Sequence, residues 1–208
     1  EWVSDHFEDG IIFSFIYDGK LSSEFLKDWQ FHHESKQLDN ARTEHTFTYT
    51  DPKTGLKVCC KGEVFADFPA VEWVLTFENG GSEDTPIIEN IQAMDTVWTY
   101  MLDGEVILHR ALGSSASRTD FAPVDEVMQS SAEIRLAPIG GRSSNTTVFP
   151  FFNIEAPGRG LVIAIGWSGQ WAISLMKEDK GVKMRAGMEL THLKLHKGEK
   201  IRTPRISL

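Results

Sequence analysis

The chain has 208 residues, a formal net charge of −9 and a sequence pI near 5.3; that charge repels phosphate backbones, and with no lysine/arginine cluster it argues against a nucleic-acid partner. The length fits one large all-β domain, and no apolar run approaches the ~20 residues of a membrane span, so the chain reads as soluble with no membrane partner. It opens on Glu1 with no charged-then-apolar leader, which leaves open both a cytoplasmic protein and an exported one whose leader has been removed.

In chain order the sequence is strands and turns with hardly a helix. Ile11 to Tyr17 is an apolar run between Asp9-Gly10 and Asp18-Gly19 and predicts a strand. Leu21, Phe25, Leu26 and Trp29 are spaced for one short helix that needs tertiary support. His45 to Thr50 alternates, Asp51-Pro-Lys-Thr-Gly55 forms a turn, and Leu56, Val58 and Cys60 resume the alternation, so residues 45–65 predict a β-hairpin. Val71 to Phe77 repeats the period of two. Ile87 to Trp98, and then Tyr100 to Leu102 with an Asp103-Gly104 turn and Glu105 to His109, read as two further strands joined tightly.

Between Leu112 and Val148 the composition shifts to Gly, Ser, Thr, Asn and Pro. Long loops are expected there around one weak strand or helical turn at Val124 to Arg135, and loops of that length in a β domain are often functional. The stretch Phe151 to Ile173 follows. Its run Leu161 to Ile165 reads as a strand buried on both faces, while Gly166 and Gly169 beside Trp167 and Trp171 read either as a bulge with core tryptophans or as a surface for stacking on a sugar or a partner. Strands at Val182 to Met184 and Met188 to Leu195, a Lys197-Gly198 turn and a last strand broken by Pro204 complete the chain. Cys59 and Cys60 are adjacent in an alternating segment, so they face opposite ways and are expected to be free structural thiols.

Four separated segments, TFENGGSEDTPIIENIQAMD (Thr76 to Asp95), LHRALGSSASRTDFAP (Leu108 to Pro123), GGRSSNTTVFPFFNIEAPGRGLVIAIGWSGQW (Gly140 to Trp171) and AGMELTHLKLHKGEKIRTPRISL (Ala186 to Leu208), resemble in one order the N-terminal domain of the α-galactosidases of glycoside hydrolase family 36, the melibiase group. The resemblance implies an all-β fold, a β-supersandwich of antiparallel strands like that of galactose mutarotases with few short helices, occupying residues 1–208 as a single domain ahead of a (β/α)8 barrel absent from this chain. It implies that the two catalytic aspartates lie in that barrel; no Asp or Glu here inherits either role, so the chain alone is expected to be inactive and to need no cofactor. The missing barrel is the implied partner, and through it an α-galactoside substrate, with a homo-oligomer also open. A domain that normally packs on another is further expected to expose an apolar patch near its exit strand and long loops.

Within that frame several residues are candidates for a carbohydrate site or a domain interface. Arg142, Ser143, Ser144 and Asn145 follow two glycines in a donor-rich loop suited to hydroxyl recognition or docking, against an ordinary solvated loop. Asp120 suits either sugar hydroxyls or a local turn bond, and Trp98, Trp167 and Trp171 suit stacking or core packing. Arg202 and Arg205 are expected to anchor the exit strand or the barrel interface through charge-assisted hydrogen bonds. Two alternatives stay open: a free-standing carbohydrate-binding module, and a mutarotase-like epimerase with His109 and Glu189 as acid and base. His32-His33-Glu34 reads as a solvated polar segment, because adjacent strand histidines diverge and no further ligand has metal spacing.

Overall fold

The computed structural model describes Phe7, residues 11–99 and residues 104–208. The chain enters as β1 (Ser14–Tyr17), turns through Asp18 and Gly19 at positive φ and returns as β2 (Lys20–Leu21). The predicted short helix is α1 (Ser22–Phe25) continued by a 3-10 turn (Leu26–Asp28). It presents Phe25, Leu26 and Trp29 to the core, with the Phe25 and Trp29 rings 5.1 Å apart.

A meander follows: β3 (Gln30–Gln37), β4 (Arg42–Thr50), β5 (Leu56–Phe65) and β6 (Ala70–Asn79). The predicted hairpin is β4–β5. Gly55 closes its turn at φ 79°, packed so tightly on Gly80 and Gly81 that no side chain fits. The polar segment around His32 is itself a strand, β3, exposed along its whole length and paired throughout with β4. Polar and charged side chains on such an edge strand discourage further pairing. Its histidines diverge as alternation requires: His32 pairs with Glu34 at 2.9 Å, while His33 stacks 4.3 Å from the Phe47 ring. Cys60 lies inside and Cys59 on the other face, and burial pushes the Cys60 thiol up, which keeps it inert.

The next strands are β7 (Ile88–Trp98), β8 (Ile107–Ala111), β9 (Pro123–Val127) and β10 (Glu133–Leu136). Two expectations change here. β7 and β8 sit in different sheets rather than side by side; Tyr100 to Asp103, between them, lie outside the described residues. The single weak element expected at 124–135 is two strands, β9 pairing with β8, and β10 pairing with β13 (Trp171–Glu178) in the opposite layer. The remaining strands are β11 (Phe151–Ala156), β12 (Arg159–Gly166), β14 (Gly181–Met188), β15 (His192–Leu193), β16 (Lys200–Arg202) and β17 (Arg205–Ser207). The region 188–195 thus holds only the end of β14 and the two-residue β15. Pro204 does separate the final pair, and buried Thr203 beside it accepts the Leu75 amide at 3.0 Å.

Among the described residues the strands form two antiparallel sheets. The larger has ten strands in the order β3-β4-β5-β6-β17-β12-β11-β8-β9, with β16 also on β6; the smaller has seven, β10-β13-β14-β7-β1-β2, with β15 also on β7. Their inner faces share one apolar core. Trp73 of β6 spans it, its Nε1 donating to the Ala93 carbonyl of β7 at 2.8 Å, a buried bond between the layers. Strand β12 is not covered on both faces. Leu161, Ile163 and Ile165 point into the core, but Val162 is 60% exposed on the outer face, because none of the described residues covers that side. Among the described residues no helix is long and apolar enough to cross a membrane.

Candidate functional site

The layers are joined at one end by two connections that lie against each other: residues 137–150, from β10 to β11, and residues 167–170, from β12 to β13. The β8–β9 loop, residues 112–122, packs beside them. This loop-built rim contains most of the candidate residues.

Gln170 is its latch. Its side-chain amide donates to the Pro138 carbonyl, and its Oε1 accepts the Gly141 amide at 2.8 Å. The next residue, Trp171, is fully buried with its ring edge-on to Phe152 at 5.9 Å, and its Nε1 donates to the Ser143 carbonyl at 2.8 Å. Trp171 is therefore core packing and loop anchor together, which leaves its faces closed to a sugar. Asn145 completes the fold of the loop: its Nδ2 donates to the Ile139 carbonyl at 3.3 Å and its Oδ1 accepts from Thr147. Ser144 donates to the Val148 carbonyl at 3.3 Å. A side chain at Gly113 would run into the Asn145 carbonyl and the Ser144 hydroxyl, so glycine is what lets the two loops close on each other. Arg142 stands exposed at the tip.

Asp120 organises its own loop. Its carboxylate accepts the Ser114 hydroxyl at 2.6 Å, the amides of Ser115, Ala116 and Ser117 at 2.9–3.1 Å, and the Ser117 hydroxyl. These donors, the Ser114 hydroxyl foremost, hold the carboxyl well below the usual carboxylate range. The residue after it, Phe121, adopts φ 58° while 54% exposed. A bulky residue held at positive φ is strained, and its neighbours must hold it there. Phe121 packs edge-on to Phe149 at 5.4 Å, and Phe149 stacks on Phe151 at 5.0 Å. Phe151 and Val162, 51% and 60% exposed, continue this aromatic strip onto the outer face of the larger sheet.

Trp167 and the arginines flank the strip. The half-buried Trp167 carries the Arg202 guanidinium 5.6 Å from its ring centroid, a cation–π contact. Arg205 pairs with Glu72 across the exit strand and lies under Gly166. Trp98 is elsewhere: it is buried opposite Val182, six residues along β14 from the Met188 partner of Trp171, or roughly 20 Å. His109 and Glu189 are not brought together. His109 lies on the outer face of the larger sheet between Asp125 (2.7 Å) and Glu155 (2.9 Å), whereas Glu189 follows β14 in the smaller sheet and pairs with Arg135 at 3.0 Å. The paired carboxylates, Asp125 first, raise the His109 pKa.

Sequence reasoning missed Gln170 and the Phe121–Phe149–Phe151 strip. The alternation Phe149-Pro150-Phe151 was the available signal for the strip, but it is indistinguishable from a core pattern until the sheet's uncovered face is known.

Neither a protein-family model nor a curated protein sequence matches the chain. Solved structures do. The α-galactosidase of Lactobacillus brevis superposes with a TM-score of 0.67 at 14% identity, over 94% of this chain and 28% of that one. The family 36 α-galactosidases AgaA and AgaB of Geobacillus stearothermophilus give TM-scores of 0.64 and 0.63, each at 14% identity over 94% of this chain and 29% of theirs. The chain spans under a third of the length of these enzymes. What it shares with them is a fold, the two-sheet antiparallel sandwich that makes up one part of a family 36 α-galactosidase.

Proposed function

We propose that residues 1–208 form the non-catalytic N-terminal β-sandwich domain of an α-galactosidase, packing on a (β/α)8 barrel that carries out hydrolysis of terminal α-galactosides. The observation that carries this reading is the asymmetry of the superpositions: almost the whole chain matches less than a third of each enzyme. The four sequence segments that resemble the family point the same way. Among the described residues the rim itself lacks the paired carboxylates that retaining glycosidases set roughly 5–5.5 Å apart: its carboxylate, Asp120, is fully engaged by its own loop.

The face toward the barrel is the rim and the adjoining outer surface of the larger sheet. Phe121 and Phe151, joined through Phe149, and Val162 on the same face of the neighbouring strand are each more than half exposed, the kind of apolar surface that marks an interface. Arg142, the Trp167–Arg202 pair and Arg205 ring it with donors, and Ser143, Ser144 and Asn145 shape the loop that borders the sugar site. Uncovered, the same face drives self-association. The test is the natural reading frame and the structure of its product. A barrel following Leu208, seated on Phe121 and Phe151, is the expected result; a product in which these side chains face solvent overturns the assignment of the face, and a frame without a barrel overturns the domain assignment.

A further inference from the structure

The outer face of the smaller sheet carries a second, unrelated feature: an open cleft of about 250 Å³. Its walls come from β1, β7, β10, β13 and β14. Two Arg–carboxylate pairs stand in it, Arg185 Nε 3.4 Å from Asp95 Oδ1 and Arg135 3.0 Å from Glu189. Asp95 Oδ2 also accepts the Ser14 hydroxyl at 2.7 Å. Met188 and Ala172 give it a small apolar floor.

The backbone departs from a regular sheet on both sides of this place. The β1–β7 register shifts between Ser14 and Ile16, and the β14–β7 register shifts between Ala186 and Gly187. Asn90, which lines the cleft, sits at φ 50°. Bulges re-aim side chains and concentrate beside binding sites, and here they hollow a face that a regular sheet would leave flat. Gly187 lies so close to the Ile91 carbonyl that no side chain fits, which fixes the second bulge to glycine.

We infer that this cleft binds a neutral, polyhydroxylated small molecule of monosaccharide size. The carboxylates of Asp95 and Glu189 accept hydroxyl protons, the guanidinium groups of Arg135 and Arg185 donate to hydroxyl oxygens, and Met188 meets the C–H face of the ring. The two pairs cancel and Glu133, which also lines the cleft, adds one negative charge, so an anion is repelled; a cation meets the two guanidinium groups, and a neutral ligand meets donors and acceptors alike without a charge of its own to desolvate. The volume of about 250 Å³ lies just below the roughly 300–1,000 Å³ of drug-sized ligand clefts, which suits one ring rather than a chain of them. This inference stands on the cleft alone and does not depend on the α-galactosidase assignment.

The test is an amide chemical-shift titration of the chain with D-galactose and with myo-inositol, with galacturonate as the charged comparison. Saturable shifts are expected at Gln92, Asp95, Ser174 and Met188 with millimolar affinity, and at least tenfold weaker binding of galacturonate. Arg185→Met and Asp95→Asn are each expected to weaken binding at least tenfold, while His109→Gln on the opposite sheet leaves it unchanged; an amide spectrum otherwise like the parent's shows that each variant is folded. No saturable shift with either neutral probe up to about 100 mM, a range reaching interactions of only ~1–2 kcal/mol, overturns the inference. So do shifts confined to the Phe121–Phe151 strip, or equal affinity in the Arg185→Met and Asp95→Asn variants.

Discussion

Trp171 joins the two halves of the structural account, because one side chain both fills the core and holds the rim loop. Replacing it by alanine removes a fully buried ring that packs on Phe152, a class of change that costs roughly 3–5 kcal/mol. At about 2–4 °C per kcal/mol for a chain of this size, the melting temperature falls by roughly 6–20 °C. Trp171→Phe is the sharper experiment. It keeps most of the packing but deletes the Nε1 donor, leaving the Ser143 carbonyl without the partner now 2.8 Å away; the cost is about 1–3 kcal/mol. Urea unfolding measures that loss, and amide exchange at Gly141 and Asn145 measures whether the loop has been released. Faster exchange at these two amides, with exchange in β13 and β14 slowed or quickened only as global stability dictates, is the expected pattern. A phenylalanine variant within ~0.5 kcal/mol of the parent, with loop exchange unchanged, would refute the claim that Trp171 anchors the rim.

Two further outcomes are expected. Asp120→Ala removes the acceptor of the Ser114 hydroxyl and of the Ser115, Ala116 and Ser117 amides, so these three amides lose exchange protection and limited proteolysis cuts between 113 and 121; a loop that stays protected contradicts its role as organiser. In the parent, the lowered carboxyl makes this contribution present above the ordinary aspartate value near 3.8 and lost as pH falls through the folded one. His109 behaves in the opposite sense: its pKa is raised from 6.5, so its pairing with Asp125 and Glu155 is fully stabilising below about pH 6.5 and is lost as pH rises through the folded midpoint. An NMR titration is expected to place that midpoint above 6.5, and Asp125→Asn to bring it down; an unmoved midpoint rules out the ion pairs.

What was legible in the sequence is what depends on local pattern. The β4–β5 hairpin declares itself through strict alternation on both sides of Asp51–Gly55, and β6 through four apolar residues at a period of two. The β12 run was misread as covered on both faces because five consecutive apolar residues look the same whether or not a neighbour covers the second face, and Val162 has none among the described residues. β9 and β10 look like one segment in sequence, yet their partners lie in opposite layers. Sites suffer most from this. The cleft joins Ser14 to Asp95 across 81 positions and Arg135 to Glu189 across 54, and no spacing rule links residues that only sheet order makes neighbours. The tryptophans illustrate the converse: Trp98, Trp167 and Trp171 look alike as candidates, but one is buried far from the rim, one stacks with Arg202, and one is a strut.

The central claim is that this sandwich is one part of an α-galactosidase and that the chemistry lies in another. Its most direct test is hydrolysis of p-nitrophenyl α-D-galactoside by residues 1–208 and by the natural protein that contains them. Turnover by the natural protein and a rate equal to buffer for residues 1–208 are expected; turnover by residues 1–208 alone, or none by the natural protein, would refute the proposal.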